Sequence, residues 1–222
     1  MKDNHFKIVI PMYNVERWVR KTITSMKIQT HRNFKCVFVD DCSSDKTVEI
    51  VKKNISNDER FDLIVNKERK FALENIYNGF EYLQPQDEDI ITAIDGDDWL
   101  SNNKALEYVS DTYQKTGCWL TYGNYVQHPS GLYNRLGDFP QEIIDNNAYR
   151  DYPWISSQLR TFKYKLWRNI KKEDLLDSSG NFYRMTWDLA FMFPMLEMAG
   201  GNIAHTDSPL YVYNRENPIN DN

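Results

Sequence analysis

Short apolar segments alternate with amphipathic segments along the first half of the chain, and this alternation constrains the fold more than any other feature. Apolar runs typical of buried strands occupy residues 6–10, 34–39, 63–65 and 89–94. Between these runs, apolar side chains recur at helical spacing in residues 71–83 and in the segments that follow Asn14 and Ser43–Ser44, whose side chains are suited to cap a helix. Strands and helices are therefore expected to alternate.

This order predicts an α/β fold with a mostly parallel central sheet and helices on both faces. Residues 104–115 are expected to form a further helix and residues 118–122 another extended segment. The second half is less regular, and its Gly, Pro, Asn and Asp residues favour a long loop over 123–138. Because no linker rich in Gly, Pro or Ser divides the chain, we expect one domain over 1–222, with halves at 1–120 and 121–222.

Polar side chains follow three of the predicted strands. Tyr13–Asn14 follow the first, Asp40–Asp41 the second, and Asp95–Gly96–Asp97–Asp98 the fourth. Right-handed crossovers point parallel strands in one direction, so the carboxyl ends of these strands share one edge of the sheet. Ligands of open α/β sheets bind in the crevice at that edge. Two acidic clusters that are distant in sequence are therefore predicted to meet in one crevice.

The tetrad Asp95–Gly96–Asp97–Asp98 concentrates three carboxylates in four residues. Burying such a cluster is costly unless a positive charge compensates it, and the nearest basic residue in sequence, Lys104, cannot offset three acids. A divalent cation can, and carboxylate ligands completed by phosphate oxygens suit magnesium or manganese. The tetrad thus suggests a metal that bridges the protein to a phosphorylated substrate. The alternative is a solvated acidic turn.

Composition excludes several classes of protein. The formal net charge of −5 argues against general nucleic-acid binding. No uninterrupted apolar stretch is long enough to span a bilayer, and the first five residues lack the apolar region of a signal peptide. The cysteines at 36, 42 and 118 show neither metal-binding spacing nor a disulfide framework, as expected for free thiols in a reducing cytosol. The prediction is a cytoplasmic protein, with peripheral contact to a membrane as the alternative.

Four motifs together resemble the family 2 glycosyltransferases of GT-A fold. They are residues 7–14 (KIVIPMYN), Gln29–Thr30, residues 37–47 (VFVDDCSSDKT) and the tetrad at 95–98. Their order and spacing match over residues 1–120, and the resemblance is looser beyond. It implies transfer of a sugar from a nucleotide-sugar, expected to be a UDP-sugar, to a hydroxyl of a glycan or similar acceptor, with inversion at the anomeric carbon. It also implies manganese or magnesium at the acidic motif, and a role in polysaccharide biosynthesis.

The resemblance assigns the nucleobase end of the donor site. Pro11 and Tyr13 are expected to line the base pocket, with Tyr13 stacking on the base. Asp41 is expected to accept a hydrogen bond from the base, as for uracil N3–H, with Asp40 beside it. From the residues alone, Tyr13 is equally suited to plain packing, and Asp40–Asp41 to capping the next helix.

The resemblance also assigns the tetrad. Asp95 is expected near the ribose, with Gly96 next to it in the donor site. Asp97 is expected to bind the metal, and Asp98 is a second candidate for a metal ligand or a ribose contact. The third predicted strand is followed by basic residues, of which Arg69 is the expected nucleotide contact, with Lys67 and Lys70 as alternatives. A solvated charge run at a helix start explains these basic residues equally well.

The catalytic base of inverting transfer must be a carboxylate opposite the leaving diphosphate. In the family this acid lies in the second half, before a helix, and Asp188 in the segment 182–192 fits. Asp188 is therefore the predicted base, with Glu197 and Asp177 as fallbacks; the alternative is that Asp188 caps the helix that follows.

Other residues of the second half allow two interpretations each. The basic and aromatic segment 160–172 fits a surface element that packs inward, or less directly a patch for a membrane surface or an anionic acceptor. Trp154 and Trp187 are suited to stack on sugars or to fill the core. Many relatives carry a metal-binding His after a Leu-Tyr-x-Tyr segment, but residues 214–220 contain none. Phosphates and water, or His205, would complete the coordination, and Arg215 is a candidate diphosphate contact.

Two other functions remain open from the sequence. A non-catalytic nucleotide-sugar-binding module would use the same first half, with Asp188 in a structural role. A nucleotidyltransferase would share a related nucleotide-binding half, but the absence of a Gly-rich phosphate loop after the first strand counts against it.

Overall fold

The computed structural model describes residues 4–218. The strands are β1 (Phe6–Met12), β2 (Phe34–Asp40), β3 (Phe61–Val65), β4 (Ile90–Ala93), β5 (Trp99–Leu100), β6 (Leu120–His128), β7 (Tyr133–Asn134), β8 (Ser157–Lys163) and β9 (Ile203–Asn214). The helices are α1 (Val19–Lys27), α2 (Thr47–Ile55), α3 (Phe71–Leu83), α4 (Ala105–Thr116), α5 (Gln141–Asp145), α6 (Tyr164–Trp167) and α7 (Trp187–Ala199). Short 3-10 turns occupy Tyr149–Asp151 and Lys172–Leu175. The expectations about residues 1–3 and 219–222 lie outside the described residues.

All nine strands belong to one sheet, in the order β3-β2-β1-β4-β8-β6-β9-β5, with β7 paired to β6. Strands β3, β2, β1 and β4 pair with one another in parallel. Beyond β4 the pairings are antiparallel, except for β6 with β9. The predicted α/β fold is confirmed, and the sheet as a whole is mixed because the second half adds its strands antiparallel to β4.

Helices cover both faces of the sheet, as predicted. On one face Ile8 packs in a cluster with Ile23 of α1, and on the other Val9 packs with Phe80 of α3 and Met195 of α7. Neighbouring residues of β1 point to opposite faces and both are fully buried. Burial on both faces explains why the first strands are continuous apolar runs instead of alternating ones.

Two predicted helix caps are wrong. Helix α1 begins at Val19, while Asn14 adopts a positive φ of 50° and its Oδ1 accepts a hydrogen bond from the Ser44 backbone N–H at 2.8 Å. Helix α2 begins at Thr47, whose N–H donates to Asp45 Oδ1 at 2.9 Å. Instead of capping helices, Asn14 and Ser43 connect the loop after β1 to the loop after β2. The Asn14 N–H donates a hydrogen bond to Ser43 Oγ at 2.9 Å.

The predicted loop over 123–138 is also wrong in its first part. Strand β6 continues to His128 and turns back into β7. The pairing that extends it is with β9, a strand of 12 residues that runs beside it from Leu120 to His128. A partner distant in sequence therefore decides the structure of residues whose own composition favours a loop.

Candidate functional site

A cavity of about 470 Å³ opens at the carboxyl ends of β1, β2 and β4. We call it the edge cavity. The sequence-predicted residues that line it are Pro11, Tyr13, Asp41, Arg69, Asp95, Gly96, Asp97 and Asp98. The predicted convergence of distant acids on one crevice is therefore present in the structure.

Parallel pairing brings the two acidic loops to the end of β1. Asp40 lies opposite Met12 in the register of β1 and β2, and the Asp41 N–H donates to the Met12 carbonyl at 2.9 Å. On the other side of β1, the Gly96 N–H donates to the Pro11 carbonyl at 3.0 Å. The loops after β2 and β4 are thus both attached to the loop after β1.

Gly96 is required where the tetrad approaches β1. A Cβ atom at this position would lie 2.6 Å from the Met12 Cβ and 3.0 Å from the Pro11 carbonyl oxygen. The hydroxyl of Thr22 on α1 lies 2.9 Å from the Gly96 carbonyl and 2.7 Å from the Asp98 carbonyl, which anchors the turn from the other side. The spacing of the acids in the tetrad is therefore fixed by backbone contacts.

The Asp41 carboxylate organises the loop between β3 and α3. Its Oδ1 accepts from Asn66 Nδ2 at 3.2 Å and the Lys70 N–H at 2.7 Å, and its Oδ2 accepts from Arg69 Nε at 2.7 Å and the Phe71 N–H at 3.0 Å. Burial acts to raise the pKa of Asp41, but hydrogen bonds from Asn75, the Lys70 backbone, Arg69 and Asn66 outweigh it and lower the pKa. A nucleobase N–H would share or replace one of these donors.

Arg69 covers the ring of Tyr13. The guanidinium carbon lies 3.4 Å from the Tyr13 ring centroid and 4.9 Å from that of Phe71. A guanidinium is itself a planar stacking surface. Arg69 thus lies where the nucleobase was expected to stack, directly over Tyr13.

Two acids of the tetrad are buried. Asp97 is 6% exposed and Asp98 is 1% exposed, whereas Asp95 is half-buried. Asp97 Oδ2 accepts a hydrogen bond from Asn217 Nδ2 at 2.8 Å, and Asp98 Oδ1 accepts one from the Asn214 N–H at 2.7 Å. Burial, followed by the nearby charges of Asp95 and Asp97, raises the pKa of Asp98 well above its ordinary value.

These residues fit a divalent cation with a limited protein ligand set. Asp98 Oδ2 is buried, and the Asp98 carboxyl lies beside the Tyr211 hydroxyl and two like charges, Asp95 and Asp97. Residues 4–218 contain no group of three His, Cys, Asp or Glu side chains placed to hold a metal. Two carboxylates completed by substrate phosphates and water is the arrangement that magnesium commonly adopts.

The position of His205 argues against its suggested role as a metal ligand. It lies on β9 nine residues before Asn214, its ring packs 5.4 Å from that of Tyr122, and it is not among the residues that line the edge cavity. The position is set by the β6–β9 pairing, in which His205 lies opposite Tyr122.

Asp40 is not brought to the cavity. Its side chain is fully buried, and Oδ2 accepts a hydrogen bond from the Ser43 N–H at 3.0 Å within the loop after β2. This contact lies within the loop and not at the start of α2, which begins at Thr47, so it is not the helix cap that was the alternative for Asp40. Of the other basic candidates, Lys70 pairs with Glu74 at 3.0 Å, and neither Lys67 nor Arg215 lines the cavity.

Asp188 lies in the first turn of α7 and is paired with a half-buried arginine. Its Oδ2 is 2.5 Å from Arg160 Nη1 on β8, and its Oδ1 accepts from the Leu189 N–H at 3.1 Å. Trp187 lines the edge cavity, whereas Asp188 is outside its lining.

The two other candidate bases are also engaged. Glu197 pairs with Arg150 at 2.5 Å, and Asp177 accepts a hydrogen bond from the Ser179 N–H at 2.8 Å within its own loop.

Sequence reasoning missed several residues of the cavity wall. These are Asn75, Phe71, Arg184, Met185, Tyr213 and Asn217. Arg184 could have been found from the sequence, since it lies in the segment 182–192 that contains Asp188. In the structure its guanidinium carbon is 4.2 Å from the Phe71 ring centroid. No sequence pattern pointed to Asn217, because only the pairing of β9 with β5 and β6 brings the chain back to Asp97.

The basic segment 160–172 is largely paired with acids. Lys163 and Lys165 contact Glu88 at 2.6 and 3.2 Å, and Arg168 contacts Asp87 at 2.6 Å. Its charge is therefore largely compensated within the chain, which favours the surface element that packs inward. Within the part of the chain that the structure describes, none of the helices has the length and apolar character needed to cross a membrane.

Comparison with solved structures identifies the fold. The chain aligns with Staphylococcus aureus TarS, in a crystal structure of its complex with UDP-GlcNAc, at a TM-score of 0.69 and 16% identity, over 96% of this chain and 59% of that one. Together with the α/β sheet and the acids at its carboxyl edge, this likeness defines a GT-A fold.

Comparison of sequences identifies the family. The model described as "Glycosyl transferase family 2" matches residues 7–186, so the protein belongs to glycosyl transferase family 2. Among relatives, GlyA of Streptococcus pneumoniae is 26% identical over 79% of this chain, and the glucosyltransferase WfgD of Escherichia coli is 31% identical over 67%. The chain spans 25% of the length of GlyA and 50% of that of WfgD.

Proposed function

We propose that this protein is a metal-dependent inverting glycosyltransferase that moves a sugar from a UDP-sugar to a hydroxyl of a glycan acceptor. The observation that carries the proposal is the convergence of Tyr13, Asp41, Arg69 and the tetrad on one cavity. The complex of TarS contains UDP-GlcNAc, and the full name of WfgD specifies UDP-Glc as its donor. Both support a uridine nucleotide.

The first half (1–120) would hold the donor and the second half (121–222) the acceptor and the base. Tyr13 and Arg69 offer stacking surfaces for the base, with Pro11 in the wall beside them. Asp95 and Gly96 would lie near the ribose, while Asp97 and Asp98 would hold manganese or magnesium. When bound, the metal offsets the charge that grows on the departing diphosphate.

Asp188 is proposed to take the proton of the attacking hydroxyl. Arg160 holds its carboxylate in the first turn of α7, next to Trp187 in the cavity wall. Its position next to Trp187, which lines the cavity, supports the assignment of Asp188 as the base. Use as a base requires Asp188 to turn from Arg160 toward the acceptor, since its Oδ2 is engaged in the ion pair.

The proposal is tested by UDP binding and by transfer or hydrolysis of a UDP-sugar. UDP with manganese should raise the melting temperature, because a ligand that binds only the folded state at 100 times its Kd stabilises it by about 2.7 kcal/mol. Chelation should abolish the shift and the turnover. Asp97→Ala should lower turnover by about 100-fold or more without unfolding the protein, whereas the exposed Asp111→Ala serves as the matched control.

In the same assay, Asp188→Asn should keep the UDP shift and lose about 10²–10⁴-fold in turnover. Full activity of this variant would remove Asp188 as the base. An unshifted melting temperature for every uridine nucleotide tried would contradict the proposed donor.

A further inference from the structure

A second groove runs along α7 beside the edge cavity. Its volume is about 710 Å³, within the range of ligand-binding cavities. We call it the α7 groove. Its lining residues are Arg150, Glu173, Asp174, Leu176, Tyr183, Met185, Thr186, Leu189, Ala190, Phe193 and Pro194. Met185 lines both cavities, whereas the other residues of the groove are outside the lining of the edge cavity.

The α7 groove and the edge cavity meet at the start of α7. Met185 is 66% exposed and belongs to both linings. Trp187 lines the edge cavity and Leu189 lines the groove, so Asp188 occupies the chain position between the two. The part of the groove lined by Met185, Thr186 and Leu189 therefore lies at the first turn of α7.

The α7 side of the groove is apolar, and the helix there contains a proline. Leu189, Ala190 and Phe193 of α7 all line the groove. Pro194 has no N–H, so the carbonyl of Ala190 lacks its usual helical donor. Apolar contacts interrupted by hydrogen-bond acceptors suit a sugar, which presents C–H faces and hydroxyl donors.

The charges around the groove favour an uncharged ligand. Glu173 and Asp174 are exposed on the rim, and neither forms an ion pair within 4 Å among residues 4–218. The one guanidinium of the lining, Arg150, is already paired with Glu197 and lies 5.2 Å from the Phe193 ring centroid. A phosphorylated ligand would meet two carboxylates and one neutralised cation, whereas hydroxyl groups would meet acceptors.

We propose that the α7 groove binds an uncharged saccharide, which is the acceptor of the transfer, with its reactive hydroxyl at the first turn of α7. This inference rests on the proposed function for the identity of the reaction. The groove itself, its continuity with the edge cavity at Met185 and its acceptor-rich rim are independent of the donor.

The test is saturation-transfer NMR on the intact chain with UDP and magnesium present. The probes are uncharged disaccharides (maltose, cellobiose, lactose and N,N′-diacetylchitobiose), with glucose 1-phosphate as the anionic probe. At least one disaccharide should bind, and glucose 1-phosphate should bind more weakly. The double variant Glu173→Lys/Asp174→Lys should weaken the binding of that disaccharide by about tenfold or more, because it removes charged hydrogen-bond acceptors.

Ala190→Trp fills the groove and should abolish disaccharide binding, while Met198→Trp, on the same helix but outside the groove, should retain it. UDP signals in the same spectra separate the two proposals: all variants should still bind UDP. No disaccharide binding, binding that survives Ala190→Trp, or preferential binding of glucose 1-phosphate would each overturn the groove assignment. Absence of UDP binding to the unsubstituted chain would instead overturn the proposed donor.

Discussion

At the scale of single residues, the edge cavity shows how one side chain serves structure and site together. Asp41 fixes the backbone of residues 70 and 71 and also holds Arg69 over Tyr13. The arginine therefore has a defined position before any nucleotide binds. Pre-ordering of this kind lowers the conformational cost of binding.

Arg69→Ala should weaken UDP binding by about 3- to 30-fold, since a cation–π contact contributes about 0.5–2 kcal/mol. Arg69→Lys should recover part of the loss, because it restores the charge without the planar stacking surface. Titration calorimetry with UDP measures the effect. Tighter binding in Arg69→Ala would show that the arginine blocks the base instead of binding it.

Asp98→Asn should stabilise the metal-free protein at neutral pH. The raised pKa means that the folded state holds a proton that the unfolded state has already released, so stability is lost as the pH rises from the ordinary value of the group through its folded pKa. Asparagine removes this loss and can keep the hydrogen bond from the Asn214 N–H.

The measurement is urea unfolding in the presence of a chelator, from acidic to neutral pH. The stability of Asp98→Asn should depend less on pH than that of the unsubstituted protein, with the exposed Asp111→Asn as control. The variant should also gain less stability from added manganese. A variant that is less stable at every pH would refute the argument.

At the scale of elements, the strand ends set the site and a few close contacts fix its dimensions. The loop after β4 is anchored to β1 through Gly96 and to α1 through Thr22. That β1 to β4 are strands follows from apolar runs in the sequence. The contact between Gly96 and Met12 does not, because it depends on how closely two loops approach.

Gly96→Ala should destabilise the protein by about 1–3 kcal/mol, the usual cost of inserting a methyl group where there is no space. It should also weaken UDP binding, since the tetrad must move away from β1. Gly137→Ala is the control, because a Cβ there meets nothing within 4 Å. Equal stability of the two variants in urea unfolding would show that the loop after β4 can move away from β1 without a loss of folding free energy.

At the scale of the whole molecule, the two halves of the chain complete one sheet. β8, from the second half, pairs with β4, and β9 pairs with β5 of the first half. Asn214 and Asn217 then return to Asp98 and Asp97. The first half thus relies on late residues for both its sheet and the hydrogen bonds of its acids.

The isolated fragment 1–120 should therefore fail to fold cooperatively. Without β8 the strand β4 has an open edge, and without α7 the apolar face around Phe80 is exposed. Circular dichroism should show a broad, low thermal transition with dye-binding apolar surface, whereas the full chain should unfold in one sharp transition. A sharp transition of the fragment would establish the first half as an independent domain.

The sequence by itself determined the α/β class, the parallel first four strands and the edge at which Tyr13, Asp41, Arg69 and the tetrad meet. Apolar periodicity and strand direction are local properties, and they suffice for these conclusions. Only the tertiary structure decided the burial of Asp40, the pairing of Asp188 with Arg160 and the return of Asn217 to Asp97. These contacts join residues far apart in the chain, whose approach depends on sheet pairings and loop paths that no local pattern encodes.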